Sequence, residues 1–366
     1  MPAPIPVLLM AREIGAGGTE RQLAEVAKWL DRSRWTPHVA CFHDQGIRAD
    51  ELRAARVPIV RLPVRSFRSP SVFHAATQLG RYLWEHGIRI THTFDMPANI
   101  FGTIAARVHR CPVVLSSQRS YRSLRKPHER WLLRFTDRIV NGIVVNCEAM
   151  RRHLVEDERV AAGRVHVCPN GIDLARFPHE NRVRRPELAG AGIVIGTVCV
   201  LRPEKGLRTL IEAFARVRQS DARLVIVGSG PILPDLESLS ARLGVSPLFV
   251  PATSEVASWL RSMDIFVLPS LSEALSNALM EAMASGCCPV ASRVGGNPEL
   301  VRPGETGMLF EAGNAGELTD VLRGLIADPA RQRQLAEAAI RLIESRFTVA
   351  ASVRRMGEIY AAMVNR

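Results

Sequence analysis

The amino-acid sequence predicts an α/β protein built from two doubly wound domains, each with a parallel sheet. Short apolar runs alternate with helix-like segments over residues 6–169, and the alternation begins again over 192–293. The runs are nearly continuous in Val, Ile and Leu, which is typical of strands that helices cover on both faces. Between the two series, residues 170–192 are polar and contain Pro, Gly and clustered Arg, which favours a linker. We therefore expect a first domain over 1–180, a second over 181–346 and a terminal helix over 347–366.

The individual elements follow from the same patterns. Helices are expected at 18–32, 71–86 and 97–109, and two long helical patterns, 315–347 and 349–365, finish the chain. Strands are expected within the apolar runs 6–10, 38–42, 57–62, 89–94, 112–117, 138–146, 164–169, 192–200, 222–230, 247–252, 265–270 and 288–293.

Composition excludes several classes of protein. The seven cysteines show no C-x-x-C spacing, so neither a disulfide framework nor a zinc site is supported, and a reducing cytoplasm is expected. No secretory signal is visible, and the apolar stretch 189–201 is too short to span a bilayer.

The positive charge is concentrated in the first half of the chain. Residues 1–185 hold 30 Lys and Arg against 17 Asp and Glu, whereas residues 186–366 hold 18 against 19. Such asymmetry favours a negatively charged partner, either nucleic acid or an anionic membrane surface. The alternative is a compositional bias, since arginine replaces lysine almost everywhere.

Two loops that follow expected strands could hold an anion. Gly15, Gly17 and Gly18 precede a helix that begins near Thr19, so backbone N–H groups could face an anion there; the alternative is tight strand–helix packing. The spacing does not match the dinucleotide fingerprint, because the residue three positions after Gly18 is Arg21.

Arg202 and Lys205 lie in the first strand–helix turn of the second domain. Both could reach a diphosphate, the arginine through a bidentate fork and the lysine as a point charge. The alternative is a pair of solvated loop cations.

The stretch 269–286 places Glu273 in a loop and Glu281 inside the following helix, which Ser276 or Asn277 can cap and Gly286 can end. A glycosidase pair needs carboxyls about 5–10 Å apart. Eight helical residues instead rise about 12 Å and point the two side chains about 80° apart. Two separate contacts along an extended ligand fit better, with exposed N–H groups of Ala274–Ser276 available to a phosphate or sugar oxygen.

The phrase "PSLSEALSNALMEAMASGCCPVASRVGGNPELV" (269–301) resembles the hallmark of the retaining glycosyltransferases of family 4, which have the GT-B fold. The resemblance extends to "GGTERQL", "PNGIDLARF", "LRPEKG", "VGSGP" and "TGMLF", in the family's order. It implies two Rossmann-like domains facing a cleft, with the C-terminal helix packing back on the first.

The resemblance also implies roles for individual residues. Glu273 would contact the donor sugar and Glu281 the ribose, while Lys205 and the backbone of Ala274, Leu275 and Ser276 would hold the diphosphate. Further expected donor contacts are Asn277, Gly228, Gly17 and Gly18, and Asn170 is a possible sugar or acceptor contact. No metal or cofactor is expected besides the donor, a UDP- or GDP-sugar. The leaving diphosphate would take the acceptor's proton, which accounts for the absence of a Ser/His/Asp or Cys/His arrangement.

The sequence departs from the family at two places. Val200 stands where many relatives carry an arginine, so Arg202 is the expected substitute and a catalytic candidate. Gln118, followed by Arg119, stands where relatives often carry a histidine. His92 is then the nearest candidate for a sugar contact, although a lone histidine is more often structural.

The expected function is retaining, metal-independent transfer of a hexosyl-type sugar, in bacterial cell-surface polysaccharide or glycolipid synthesis. The alternatives are a non-catalytic nucleotide-sugar-binding relative and a hydrolase or epimerase of the same fold. The expected acceptor is lipid-linked or an oligosaccharide, and nucleic acid is not expected, because no recognition motif accompanies the charge.

The segment 117–138 carries seven Lys and Arg, among them Arg122, Arg125 and Lys126, interleaved with Trp131, Leu132 and Phe135. It favours a peripheral site on the inner face of a membrane. The alternative is an ordinary helix that buries its apolar residues. The acidic run 156–158 is expected to be a solvated helix end.

Overall fold

The computed structural model describes residues 3–64, 66–67, 69–122, 126–180, 182–217 and 219–365. The chain divides into two compact units. The first unit comprises the residues up to Gly171 together with those from Val349 onward, and the second comprises Ile172–Thr348.

The first unit is built on a seven-stranded parallel sheet with the strand order β3-β2-β1-β4-β5-β6-β7. Every residue of β4, β5 and β6 is buried, as expected for strands covered on both faces. The strands are β1 Ile5–Glu13, β2 Trp35–His43, β3 Ile59–Arg61, β4 Ile90–Thr93, β5 Val113–Gln118, β6 Gly142–Val145 and β7 Val165–Val167. The helices between them are α1 Gly18–Trp29, α2 Ile47–Ala54, α3 Ser71–Glu85, α4 Met96–Val108, α5 Pro127–Ile139 and α6 Glu148–Arg152, the last continued by a π-helical turn, His153–Asp157.

The second unit repeats the design with six parallel strands in the order β10-β9-β8-β11-β12-β13. The strands are β8 Ile193–Val198, β9 Ala222–Val227, β10 Leu248–Val250, β11 Ile265–Leu268, β12 Cys288–Ser292 and β13 Met308–Phe310. The helices are α7 Leu207–Val217, α8 Leu233–Leu243, α9 Val256–Arg261, α10 Asn277–Ala284, α11 Asn297–Leu300, α12 Ala315–Ala327, α13 Pro329–Arg346 and, within the first unit, α14 Val349–Val364.

Helix α14 belongs to the core of the first unit. Its Tyr360 is fully buried and meets Trp35 of β2 edge-on, with ring centroids 5.7 Å apart. Met356 and Ile359 join the same cluster as Leu23 of α1. The predicted α/β class with two parallel sheets is confirmed, and so is the return of the C-terminal helix to the first unit.

Two expected elements differ in detail, and one strand was not expected. The helical pattern 315–347 is two helices, because Asp328 ends α12 and its carboxylate accepts a hydrogen bond from the Arg331 N–H while Pro329 begins α13. In the run 138–146, the first residues still belong to α5, and the strand begins at Gly142. The short edge strand β13 was not predicted, since its three residues carry too little pattern.

The polar stretch 170–192 is packed rather than loose where it lies in the second unit. Arg182 donates to the carbonyl oxygens of Gly286 and Met263, and Arg184 donates to Asp264. The clustered arginines therefore fasten this stretch to the ends of neighbouring elements.

Candidate functional site

The loops at the carboxyl edge of the second sheet carry the expected donor residues. Ligands of open parallel α/β sheets bind at this edge. The turn after β8 holds Arg202 and Lys205, the loop after β11 holds Glu273, and Gly228 directly follows β9. The parallel arrangement therefore brings residues that are distant in sequence to one side of the unit.

Lys205 and Glu273 form an ion pair at this edge. The Lys205 Nζ lies 2.7 Å from Glu273 Oε2, and the Ser270 hydroxyl donates to the same oxygen at 3.2 Å. Both side chains are mostly buried, with 24% and 15% of their surfaces exposed. The pair gives the site a cation that an incoming diphosphate can share, and a carboxylate whose remaining lone pairs can accept sugar hydroxyls.

Helix α10 begins directly after this loop. The Ser276 hydroxyl caps it by accepting from the Leu279 N–H at 3.3 Å, and Asn277 is its first residue. Glu281 lies one turn inside and is only 4% exposed. Ala274, Leu275 and Ser276 are buried as well, so the N–H groups that were expected to be exposed lie in a buried loop. The loop is buried because a second loop packs directly on it.

That second loop, Val294–Asn297, was not assigned a role from the sequence. The Gly296 N–H donates to the Ala274 carbonyl at 2.8 Å, and Asn297 Nδ2 donates to the Ser292 carbonyl at 2.9 Å. The Ser292 hydroxyl in turn donates to the Ser270 carbonyl at 2.6 Å. The glycine pair within the 269–301 phrase was the available signal, since close backbone approach requires glycine.

Close backbone approach recurs at Gly228. A Cβ added there would overlap the Cys199 carbonyl, and the φ of +147° also disfavours a side chain. Gly228 thus has a packing reason to be glycine, whatever it contributes to a ligand.

Replacing Gly295 with alanine is expected to displace the Glu273 loop. Its φ is +51°, and a Cβ would overlap the Glu273 carbonyl oxygen. We expect weaker nucleotide binding and a lower Tm, both measured by thermal shift with and without nucleotide. Gly244→Ala is the matched control, because its φ is +68° but no atom lies within 4 Å of the added Cβ. It should cost only about 1–2 kcal/mol of backbone strain and leave nucleotide binding intact. Equal nucleotide affinity in the two variants would contradict the loop contact.

Arg202 is exposed, and its side chain makes no hydrogen bond or ion pair within the part of the chain that the structure describes. Neighbouring Val200 is 50% exposed. The guanidinium is thus available to a ligand, but none of the described residues orients it.

In the first unit, the loop after β5 borders a cavity of about 160 Å³. Gln118 and Arg119 line it, and so do Asn99 and Phe94. Gln118 Nε2 donates to Asp137 at 3.3 Å. Arg119 donates to the side-chain oxygen of Asn170 at 2.5 Å and lies over the Phe94 ring. The structure therefore brings together three of the four residues expected to contact a sugar or acceptor.

The fourth, His92, does not contact ligand in this arrangement. It is fully buried, and its two ring nitrogens are bonded to Tyr360 Oη at 2.8 Å and Ser117 Oγ at 2.9 Å. Burial holds its pKa well below the ordinary value, so the ring is neutral. The expectation of a sugar contact at His92 was wrong, because the ring joins α14 to β5.

The glycine turn before α1 is occupied by the chain's own carboxylate. The Glu20 side chain folds back over Gly17, where an added Cβ would overlap it. Burial raises the pKa of Glu20. A diphosphate approaching Gly17 or Gly18 would have to displace this side chain.

The basic segment around α5 divides into a buried part and an exposed part. Arg122 is 2% exposed and pairs with Asp137 and Glu158, so it is unavailable to a membrane. Glu158 is correspondingly buried, and the expectation of a solvated acidic run was wrong at that residue. Leu124 and Arg125 lie outside the described residues.

The alternative, an ordinary helix with buried aromatics, does not hold for α5. Trp131 is 66% exposed and Phe135 is 41% exposed, and their rings stack with centroids 6.3 Å apart. Leu132 is half-buried, and Leu133 packs inward. No helix within the described residues is long and apolar enough to cross a membrane.

Two family profiles match the chain over most of its length. "Glycosyltransferase Family 4" matches residues 16–176, and "Glycosyl transferases group 1" matches residues 192–328. The D-inositol 3-phosphate glycosyltransferase of Arthrobacter sp. is 33% identical over 220 residues, which are 55% of this chain and 52% of that protein. The MMP alpha-(1->4)-mannosyltransferase of Mycolicibacterium hassiacum is 36% identical over 191 residues, 50% of this chain and 45% of that protein. The matches thus span about half the length of these relatives.

The fold is also found in solved structures. The crystal structure of Anabaena HepE in complex with UDP-glucose superposes with a TM-score of 0.85 at 21% identity, covering 98% of this chain and all of that one. Two parallel-sheet units, two adjoining family profiles and these relatives agree with the motif phrase at 269–301. The chain therefore belongs to glycosyltransferase family 4 and has the GT-B fold.

Proposed function

We propose that the protein transfers a sugar from a nucleotide-diphosphate sugar to an acceptor hydroxyl with retention of anomeric configuration. The observation that carries the proposal is the Lys205–Glu273 pair at the carboxyl edge of the second sheet. A lysine beside the diphosphate stabilises the charge that develops on the leaving group. Glu273 orients both the lysine and the sugar, and Arg202 adds a second cation from solvent.

Within this proposal the donor binds along the second unit. Lys205 meets the diphosphate, Glu273 accepts hydroxyls of the sugar, and Glu281 accepts those of the ribose. The HepE structure with UDP-glucose supports a nucleotide-sugar donor of this kind. The leaving diphosphate takes the acceptor's proton, so no protein nucleophile and no metal ion is required.

Replacing Glu281 with alanine should weaken donor binding by about 1.5–3 kcal/mol, because ribose hydroxyls lose a charged acceptor. Isothermal titration with UDP, GDP and their sugars measures this. Glu237→Ala removes an exposed carboxylate from α8 of the same unit and should leave the affinity unchanged. Unchanged affinity in Glu281→Ala would remove that residue from the site.

The acceptor side of the proposal involves the first unit and an anionic membrane surface at the inner face of a bacterial-type membrane. Trp131 and Phe135 form an exposed aromatic pair on α5, and Lys126 and Arg138 are exposed at its two ends. Aromatic and basic side chains on one helix suit the headgroup region. A lipid-linked or oligosaccharide acceptor at such a surface fits cell-surface polysaccharide or glycolipid synthesis.

Replacing Trp131 and Phe135 together with serine should weaken binding to anionic vesicles at least about tenfold, since each buried aromatic contributes about 1.5–3 kcal/mol. Co-sedimentation at low and high salt measures the binding, which should fade as salt screens the charges. Trp29→Ser is the control. Trp29 is equally exposed, at 63%, but it lies on α1, which packs against α14 and is not part of the α5 aromatic pair. If the parent protein stays in the supernatant at low salt, a soluble acceptor is favoured.

A further inference from the structure

Arg119 is a largely buried cation without a carboxylate partner. It lines the cavity after β5, donates one bond to the neutral side chain of Asn170 and lies over Phe94. Within the described ranges it forms no ion pair, and its Nε is buried with no hydrogen-bond partner. Burial lowers its pKa to about 10, so the guanidinium stays charged at neutral pH.

The neighbouring arginine that lines the same cavity, in contrast, has its charge neutralised by carboxylates. Arg122 is more deeply buried, and two carboxylates, Asp137 and Glu158, neutralise it. Buried charges in proteins are ordinarily paired in this way, because removing an ion from water is costly. Arg119 departs from this rule in a place where solvent or ligand can enter.

Two acidic residues lie near Arg119, and one of them, Asp95, lines the same cavity. Asp95 accepts from the Ala98 N–H at 2.9 Å and from the Arg12 N–H at 2.6 Å, so it caps α4. The Glu20 carboxylate folds over Gly17. The charge of Glu20 acts on Arg119 through space, and the charge of Asp95 acts on Glu20. Among the described residues, neither carboxylate forms an ion pair with the Arg119 guanidinium.

The cavity also offers further donors. Thr19 lines it, and the Nε of Arg122 is buried without a hydrogen-bond partner among the described residues. A guanidinium, a second guanidinium N–H and a hydroxyl match the several oxygens of a tetrahedral anion better than a neutral sugar ring.

We propose that this cavity of the first unit binds a phosphate group carried by the acceptor, with Arg119 as its principal contact. The inference rests on the proposed function, because it names the chemistry of the acceptor for that transfer. The inference specifies the acceptor of that transfer as a molecule that carries a phosphate near the accepting hydroxyl.

Inorganic phosphate is the first probe, with sodium chloride of equal ionic strength as the reference. Phosphate should raise the Tm of the parent protein, and the shift should vanish in Arg119→Gln. It should persist in Arg81→Gln, which removes an exposed cation from α3 of the same unit. It should also persist in Lys205→Gln, which removes the cation of the proposed donor site. A shift lost in Lys205→Gln but kept in Arg119→Gln would place the phosphate at the donor site and overturn the inference.

The folding of Arg119→Gln itself is a second readout. A buried charge that awaits a ligand costs stability, so this variant should unfold at the parent's temperature or above it in phosphate-free buffer. A marked fall in Tm would mean that Arg119 serves the fold instead, and would count against the inference.

The acceptor test compares one polyol with its phosphate monoester as acceptors for the parent and for Arg119→Gln. For the parent, KM should be at least about tenfold lower with the phosphorylated form, and Arg119→Gln should abolish the difference. Equal KM values for the two forms with the parent would overturn the inference while leaving the proposed function standing. If the parent transfers no sugar to any acceptor, the proposed function fails, and the phosphate shift in the binding arm still decides the cavity.

Discussion

Lys205→Ala is expected to lower kcat for sugar transfer by about 10²–10³-fold, the usual effect of removing one electrostatic group that stabilises a transition state. The leaving diphosphate gains negative charge as the sugar departs, and Lys205 is the ion-paired cation of the proposed donor site. The same change also leaves Glu273 without its counterion, so donor binding should weaken as well.

A matched control lies one turn further along the chain. Arg208 is 66% exposed on α7, and among the described residues its ion-pair partner is Glu212 of the same helix. Arg208→Ala should therefore transfer sugar at the parent's rate, measured by release of nucleotide at saturating donor. If Lys205→Ala retains kcat within about threefold of Arg208→Ala, the lysine does not stabilise the leaving group.

Asp137→Ala is expected to reduce the free energy of unfolding by about 3–5 kcal/mol, because it leaves the buried Arg122 without its nearest partner. Arg122 and Asp137 are 2% and 5% exposed. Burial raises the pKa of Asp137 in spite of the arginine, so desolvation outweighs the attraction. The expected loss therefore comes from leaving the buried Arg122 with Glu158 as its remaining carboxylate partner, not from a large net benefit of the Arg122–Asp137 pair.

That reasoning is tested by a double variant in urea denaturation. Arg122→Met combined with Asp137→Leu should recover most of the stability, since apolar replacements of buried ion pairs are often neutral or stabilising. Arg134→Ala is the control, because Arg134 is 56% exposed and pairs with Glu158 from the solvent side. It should cost no more than about 1 kcal/mol. An unfolding free energy of Asp137→Ala equal to that of Arg134→Ala would contradict the buried-network account.

The sequence predicted the two sheets and the α10 region well, since those signals are local. The Ser276 cap, the helix that follows it and the loop position of Glu273 all lie within the phrase 269–301. The contact between Lys205 and Glu273 joins residues 68 positions apart, and only the order of parallel strands brings them together.

Other features lie beyond sequence patterns because they depend on which side chains meet in space. Charge spacing alone could not separate the buried Arg122 from the exposed Lys126. Helical periodicity placed Trp131 equally well on a buried or an exposed face. His92 was the nearest candidate for a sugar contact in place of the histidine that relatives often carry at position 118, yet Tyr360 reaches it from the far end of the chain.

The central claim is acceptor-dependent transfer from a nucleotide sugar with retention, and one experiment tests it most directly. The protein is incubated with UDP- and GDP-sugars and a panel of lipid-linked and soluble acceptors, and nucleotide release and the anomeric proton couplings of the product are followed by NMR. The account predicts release only when an acceptor is present, and a product with the anomeric configuration of the donor. Release without an acceptor would indicate a hydrolase, binding without release a non-catalytic relative, and an inverted product would contradict the proposed mechanism.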